Sequence, residues 1–344
     1  MKKLTKIFTA ILVVLLVAGN LFADGGKRNG SAGATELLIP VGARGIALAG
    51  TSITNVYGVE AMFWNPANVS RGQYGTDVMF SYNTHFADMG VSYAGIATNT
   101  GIGTIGVSFK SIAIGDIYKT TVEQYDGTGA KFTPTYSIIG LSYSKMLSDR
   151  ISFGFNINYI SEEIDLVKAT GISLDFGICY TNIASIEGLS FAIVLKDIGP
   201  EMKFDGSGLY INATAISSLY ERGSQLYKID ALPFELPASL EMGLGYKATI
   251  NADNILNIGA VYQNNNFDGD MYRVGVEYAY NNMFFIRAGY QNAPSLTNDY
   301  NIYDYTLGAG IKYNIGGIDF RFDYAYRHMK VFDSSNIFTV SLGL

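Results

Sequence analysis

Along 317–327 the side chains alternate without a break. Ile318, Phe320, Phe322, Tyr324 and Tyr326 fall on one parity, and Asp319, Arg321, Asp323, Ala325 and Arg327 on the other. A period of two puts these sets on opposite faces of a β-strand, and a helix cannot satisfy it. The pattern recurs at about 76–83, 88–98, 102–114, 134–146, 150–162, 167–180, 188–198, 237–248, 252–264, 269–280, 283–292, 302–315, 317–328 and 335–344. These spans have the length that a tilted membrane strand needs. No stretch beyond the first residues is apolar for long enough to cross a bilayer as a helix. Yet 48% of the chain is hydrophobic and only 16% is charged, where soluble domains carry ~25%. Such a chain satisfies its backbone in a membrane by pairing strands into a closed wall. The expected fold is all-β, a transmembrane antiparallel β-barrel of about 14 strands over 75–344.

Loop lengths and tyrosines agree with that fold. The connections 98–101, 147–150, 281–282 and 315–317 are short, and the intervening ones, 115–133, 199–236, 263–270 and 291–301, are longer. Short periplasmic turns opposite longer outer loops are the pattern of bacterial outer-membrane barrels. Tyr159, Tyr262, Tyr290 and Tyr326 lie near the outer strand ends, and Tyr143, Tyr180, Tyr246, Tyr280 and Tyr313 near the others. Tyrosine prefers the interface, where its ring is buried and its hydroxyl is wet.

Residues 1–23 read as a secretory signal peptide. Lys2, Lys3 and Lys6 precede an apolar run from Ile7 to Ala18, and Ala23 stands before the cleavage point. Without the three leader lysines the formal charge moves from −6 to −9. An acidic exported chain is a poor match for nucleic acid. The single cysteine, Cys179, excludes an internal disulfide and a multi-cysteine metal site.

The inward parity carries both signs of charge: Glu241, Arg273, Glu277, Arg287, Asp304, Lys312, Asp319, Arg321, Asp323 and Arg327. These are expected to line the lumen and neutralise one another. A barrel of ~14 strands is wider than its side chains can fill. Residues 24–74 do not alternate and supply a plug. Gly42, Gly45 and Gly50 allow close backbone approach, Phe63 and Trp64 can anchor on the wall, Asn65 can cap a turn, and Pro66 before Ala67 stops regular structure.

The stretch Gly42-Ala43-Arg44-Gly45, the small-residue run to Gly50, and Trp64-Asn65-Pro66-Ala67 before the first strand stand in one order. This block of about thirty residues resembles the PorV/PorQ family, a branch of the FadL-like outer-membrane barrels. The resemblance implies a fourteen-stranded barrel in the bacterial outer membrane, bedded in its lipid, with 24–74 folded into the lumen as a hatch. It implies an accessory of protein secretion whose partners are secretion-system components or exported cargo. The wider FadL-like resemblance implies the alternative, a transporter for fatty acids or other hydrophobic molecules.

No catalytic set is legible. The two histidines, His85 and His328, fall at strand ends, no serine lies in a nucleophile elbow, and no His/Cys spacing suits a metal. The chain reads as a non-enzyme without cofactor. The connection 199–236 is a second candidate site, because Met202, Phe204, Tyr210, Leu219, Tyr220, Tyr227 and Phe234 must pack on the barrel mouth, a partner or a greasy ligand. Gly101, Gly103, Gly106 and Gly115 mark 101–115 as the strand where a weakened ladder is expected.

Overall fold

The computed structural model describes residues 30–213, 216–217, 220–221, 224–294 and 301–344, without the side chains of 216, 217, 220 and 221. The expected leader, 1–23, lies outside the described residues. Fourteen long strands follow one another around a single sheet: β1 Thr76–Thr84, β2 Gly90–Thr100, β3 Gly103–Ala113, β4 Thr135–Met146, β5 Ile151–Ile164, β6 Val167–Thr181, β7 Leu189–Ile198, β8 Ser239–Thr249, β9 Asn254–Asn265, β10 Met271–Tyr280, β11 Phe284–Asn292, β12 Tyr303–Ile315, β13 Ile318–Met329 and β14 Ser335–Gly343. Every neighbour is antiparallel, and β14 pairs back onto β1 from Asp77↔Gly343 to Thr84↔Asn336. The barrel is closed, so no long edge is left for another chain to pair with. No helix among the described residues is long and apolar enough to cross a membrane.

One parity of each strand faces outward and is apolar. Phe80, Ile139, Leu141, Ile172, Ile286, Tyr290, Leu307, Phe322 and Phe338 are all exposed on that surface. The hydrophobic core is inside the barrel. Val41, Ile46, Ile53, Val59, Met62, Trp64 and Val69 of the N-terminal segment form it with inward wall residues such as Met79, Tyr93, Val194 and Val261.

Two-residue turns at 101–102 and 316–317 mark one end of the barrel, here called the turn end. The connections 114–134 and 199–238 rise from the opposite, loop end. Within the second, Tyr210–Ala213 pairs with Gln225–Lys228, and Phe204–Asp205 adds to the top of β6.

The glycine-rich strand 101–115 is not the weak place. β3 is paired without interruption to β2 and to β4. Gly106 instead makes room inside, where an added Cβ would lie 2.9 Å from the Met62 thioether. The ladder is irregular elsewhere. Between β6 and β7 the register shifts from Leu174↔Ile198 to Phe176↔Leu195, with Asp197 at positive φ. Between β12 and β13 it shifts between Tyr303 and Thr306. That bulge removes Asp304 from the lumen set. Its carboxylate turns to His328 at the loop end, 2.7 Å from Nδ1, where the His328 ring stacks on Tyr305.

Candidate functional site

The N-terminal segment runs down the inside of the barrel. It begins at the loop end, where Gly30 N–H donates to the Phe267 carbonyl and Gly33 N–H to that of Glu235. Short helices follow at Thr35–Leu38, Ala43–Ala47 (α1), Thr51–Thr54, Gly58–Glu60, Ala61–Trp64 (α2) and Pro66–Arg71. At the turn end Arg71 donates to Thr181, and the Tyr74 hydroxyl donates to Asp319 at 2.5 Å. The chain turns this often because its glycines and Pro66 forbid a long helix. Gly50, at φ +79°, takes a left-handed conformation that other residues resist.

The wall meets this segment with a track of glycines. Gly245, Gly259, Gly275 and Gly289 are direct register partners across β8, β9, β10 and β11. A Cβ on Gly245 would lie 2.2 Å from Thr54 Oγ1, one on Gly275 2.4 Å from Thr51 Oγ1, and one on Gly289 2.6 Å from the Ala49 nitrogen. On the far side Gly154 and Gly177 are partners on β5 and β6, and they receive Pro66 and Asn65 in the same way. The segment therefore rests on bare backbone, which brings it about one side-chain layer closer than an ordinary lumen allows.

The motif residues hold one another. Trp64 Nε1–H donates to the Val41 carbonyl at 3.1 Å, and its ring fills the space above Gly45. Phe63 stands edge-on to Trp64, ring centroids 5.0 Å apart. Asn65 accepts from Ala67 N–H at 3.0 Å and donates to the Ile53 carbonyl at 2.8 Å, so it caps the Pro66 turn and ties it to the previous one. Gly42 lies against the Glu60 side chain. Glu60 Oε1 accepts from Gly45 N–H at 2.7 Å.

The charges of the inward parity sort into three groups. In the first, Arg44 of α1 grips Glu277 through two bonds, 3.0 and 2.8 Å. Arg287 bridges Glu277 and Asp323 at 2.6 and 2.7 Å. Arg321 Nε lies 2.7 Å from Asp323 Oδ2 but off the hydrogen-bond direction, so the contact is an ion pair. In the second, Lys312 pairs with Asp319 at the turn end, 2.8 Å apart. In the third, near the loop end, Arg273 lies 3.6 Å from Glu241, and Arg327 stacks 3.4 Å from the Tyr303 ring centroid.

Other buried polar groups escaped the sequence reading. Lys110 donates to the Glu36 and Ile39 carbonyls. Lys196 sits 4.0 Å over the Phe63 ring. Asn156 links the Met62 carbonyl to Asp175. Each was marked in the sequence by its inward parity within an apolar strand. Glu60 belongs to the lumen segment, not to a wall strand. Burial, reinforced by Asp323, raises its carboxyl above the ordinary range.

The segment divides the lumen into two chambers with no lining residue in common. The turn-side chamber, about 390 Å³, is bounded by Arg44, Glu60, Glu277, Lys312, Asp319 and Arg321. The loop-side chamber, about 220 Å³, is bounded by Leu37, Phe63, Trp64, Tyr303, Arg273 and Arg327 among others.

The loop residues do not form one surface. Met202, Phe204 and Phe234 pack inward with Ala34, Leu37, Ile138 and Ile160, Met202 being 1% exposed. They close part of the mouth, because Met202 finds its space over Gly171 and Phe234 over Gly33. Tyr210 and Tyr227 remain exposed. Leu219 and the Tyr220 side chain lie outside the described residues.

No family model matches the chain, and no curated protein matches it in sequence. Solved structures do match in fold. The CymD monoaromatic hydrocarbon channel superposes with a TM-score of 0.54 at 14% identity, over 89% of this chain and 97% of that one. The toluene transporter TodX of Pseudomonas putida gives 0.53 at 13% identity, over 88% and 97%. The shared feature is the fold, a closed antiparallel barrel, and nothing in it singles out the PorV/PorQ branch.

Proposed function

We propose that this protein is a non-enzymatic channel of the bacterial outer membrane that passes small hydrophobic molecules, with 24–74 as its hatch. The observation that carries this reading is the loop-side chamber, a largely apolar cavity of about 220 Å³ seated directly on the segment that divides the lumen. Ligand sites are concave and mostly apolar, with a few placed polar groups. The outward belt of exposed aliphatic and aromatic side chains supports a lipid surround, and the longer loops then face the exterior. The fold likeness to structures described as a hydrocarbon channel and a toluene transporter supports the ligand class. The test is entry of toluene and of a fatty acid into liposomes carrying the refolded barrel. Faster entry of either than into barrel-free liposomes is expected; equal rates for both would defeat the reading.

The secretion-accessory reading stands second. It draws on the Trp64-Asn65-Pro66-Ala67 block and on exposed apolar residues of the outer connection, Ile211, Leu226 and Leu232. A native pull-down would have to recover secretion components or surface-exported protein. It ranks below the channel because Met202, Phe204 and Phe234, three of the seven residues that recommend that loop as a docking surface, turn inward.

A further inference from the structure

The loop-side chamber holds an arginine with nothing to bind. Arg327 of β13 lies over the Tyr303 ring, 3.4 Å from its centroid, and among the described residues no carboxylate or hydrogen bond engages its guanidinium. Stacking holds the planar fork in one orientation and leaves its N–H edge free. The neighbouring cation makes its isolation worse, since Arg273 is close enough to repel it.

The other charges around the chamber are Lys196, Asp197, Glu241, Asp268 and Arg273. Asp197 feels both Lys196 and Lys110. Asp268 accepts from Gly269 N–H at 2.7 Å. Glu241 faces Arg273 at 3.6 Å, beyond hydrogen-bond reach, and its Oε2 has no partner. Neither Lys196 nor Arg327 makes a salt bridge or side-chain hydrogen bond among the described residues; Lys196 rests 4.0 Å over the Phe63 ring, and Arg327 alone of the two offers a planar fork. A half-buried cation without a counter-charge is costly, and a bound anion removes that cost.

Shape narrows the anion. Phe63 and Trp64 also line the chamber, edge to face with centroids 5.0 Å apart, and Lys196 stands 4.0 Å from the Phe63 centroid. A volume of about 220 Å³ exceeds the ~150 Å³ cavity that accepts benzene and suits a single ring. Resting on the channel reading above, we infer that this chamber selects a small aromatic carboxylate. Its ring lies against Phe63 and Trp64, and its carboxylate takes two N–H groups of Arg327, with Arg273 adding charge from the side. This sets the chain apart from a channel for neutral hydrocarbons.

The chain's single tryptophan, Trp64, lines the chamber and reports on it without a label. The full barrel, refolded into liposomes, is titrated with 3-phenylpropionate, propylbenzene and 3-phenylpropylamine while Trp64 fluorescence is read. Expected is saturable quenching by the carboxylate at a Kd at least tenfold below that for propylbenzene, and none by the amine. Arg327→Gln should weaken the carboxylate at least tenfold and leave propylbenzene unchanged. Arg327→Lys, which keeps the charge but loses the fork, should fall between. Heat-modifiable migration on gels checks that each variant is folded. Equal affinity for carboxylate and hydrocarbon, or an unchanged carboxylate Kd in folded Arg327→Gln, overturns the inference and leaves the channel reading standing. Binding of none of the three overturns the inference, and flux that also matches barrel-free liposomes overturns both.

Discussion

The two chambers on either side of the lumen segment are built from the same residue types and used differently. On the turn side the central charges are paired: Arg44 with Glu277, Arg287 with Glu277 and Asp323, Lys312 with Asp319. On the loop side Phe63 stands edge-on to Trp64, Lys196 and Arg327 rest on rings, and among the described residues neither cation is in a salt bridge. The difference separates retention from recognition. Paired charges in a low-dielectric site fix geometry, because breaking one pair strands the other charge. Aromatic surface and an unengaged guanidinium leave room for a guest. The segment is thus anchored from below by ion pairs to β10, β11 and β13, and from above by Lys110 and by backbone bonds at the loop end.

Breaking the anchor should have the largest effect. Glu277→Ala strands Arg44 and leaves Arg287 with Asp323 alone, and removal of one member of a buried ion pair typically destabilises by ~3–5 kcal/mol. The expected readout is a lower denaturation midpoint in urea, with faster swelling of barrel-containing liposomes in small sugars. An unchanged midpoint would show that the turn side is no more anchored than the loop side. Gly275→Val comes next, since it drives a side chain into Thr51 and Leu48, and overpacking of this kind costs ~1–3 kcal/mol. The same substitution at Gly101, which has open space around it, should do far less, and melting of the two variants compares them. Asn65→Ala removes a cap and leaves the Ile53 carbonyl short of one donor, a loss of ~1–2 kcal/mol by urea denaturation.

The smallest effect sharpens the comparison by pH. Glu60 is held above its ordinary range by burial and by Asp323. A raised carboxyl in the folded state stabilises fully below the unfolded value, about 4.3, and that contribution is lost as pH rises through the folded value. Glu60→Gln mimics the protonated form. It should match the parent near pH 4, gain on it as pH rises to the folded value, and hold that lead above it, by melting temperature. A parent that gains on the variant instead would mean that Arg321 and Arg44 outweigh burial at this position.

The strands were legible because a membrane wall has two environments one residue apart. The 302–315 span returned as Tyr303–Ile315 and the 76–83 span as Thr76–Thr84. The same rule failed at Asp304, where a bulge between Tyr303 and Thr306 breaks the parity it depends on. Glycine was the other blind spot. In sequence the 101–115 glycines read as a weakness in the ladder, yet Gly106 clears space for Met62, as Gly245, Gly259, Gly275 and Gly289 do for the segment on the far wall. A glycine has no parity of its own, so only the register of its neighbours tells which way its missing side chain would point.

The sequence by itself determined the barrel: strand number, facing, the two kinds of connection, and the non-alternating stretch in front of it. These depend on local period, and local period is written in consecutive residues. Only the tertiary structure decided which charges meet. Arg44 and Glu277 are 233 positions apart, and Arg327 differs from Arg321 by nothing that a neighbouring residue reveals. Pairing inside a closed barrel follows from strand stagger and from the path of the segment across the lumen. Both are set by the whole wall at once, so the stranded arginine above Trp64 came into view only when the ring was closed.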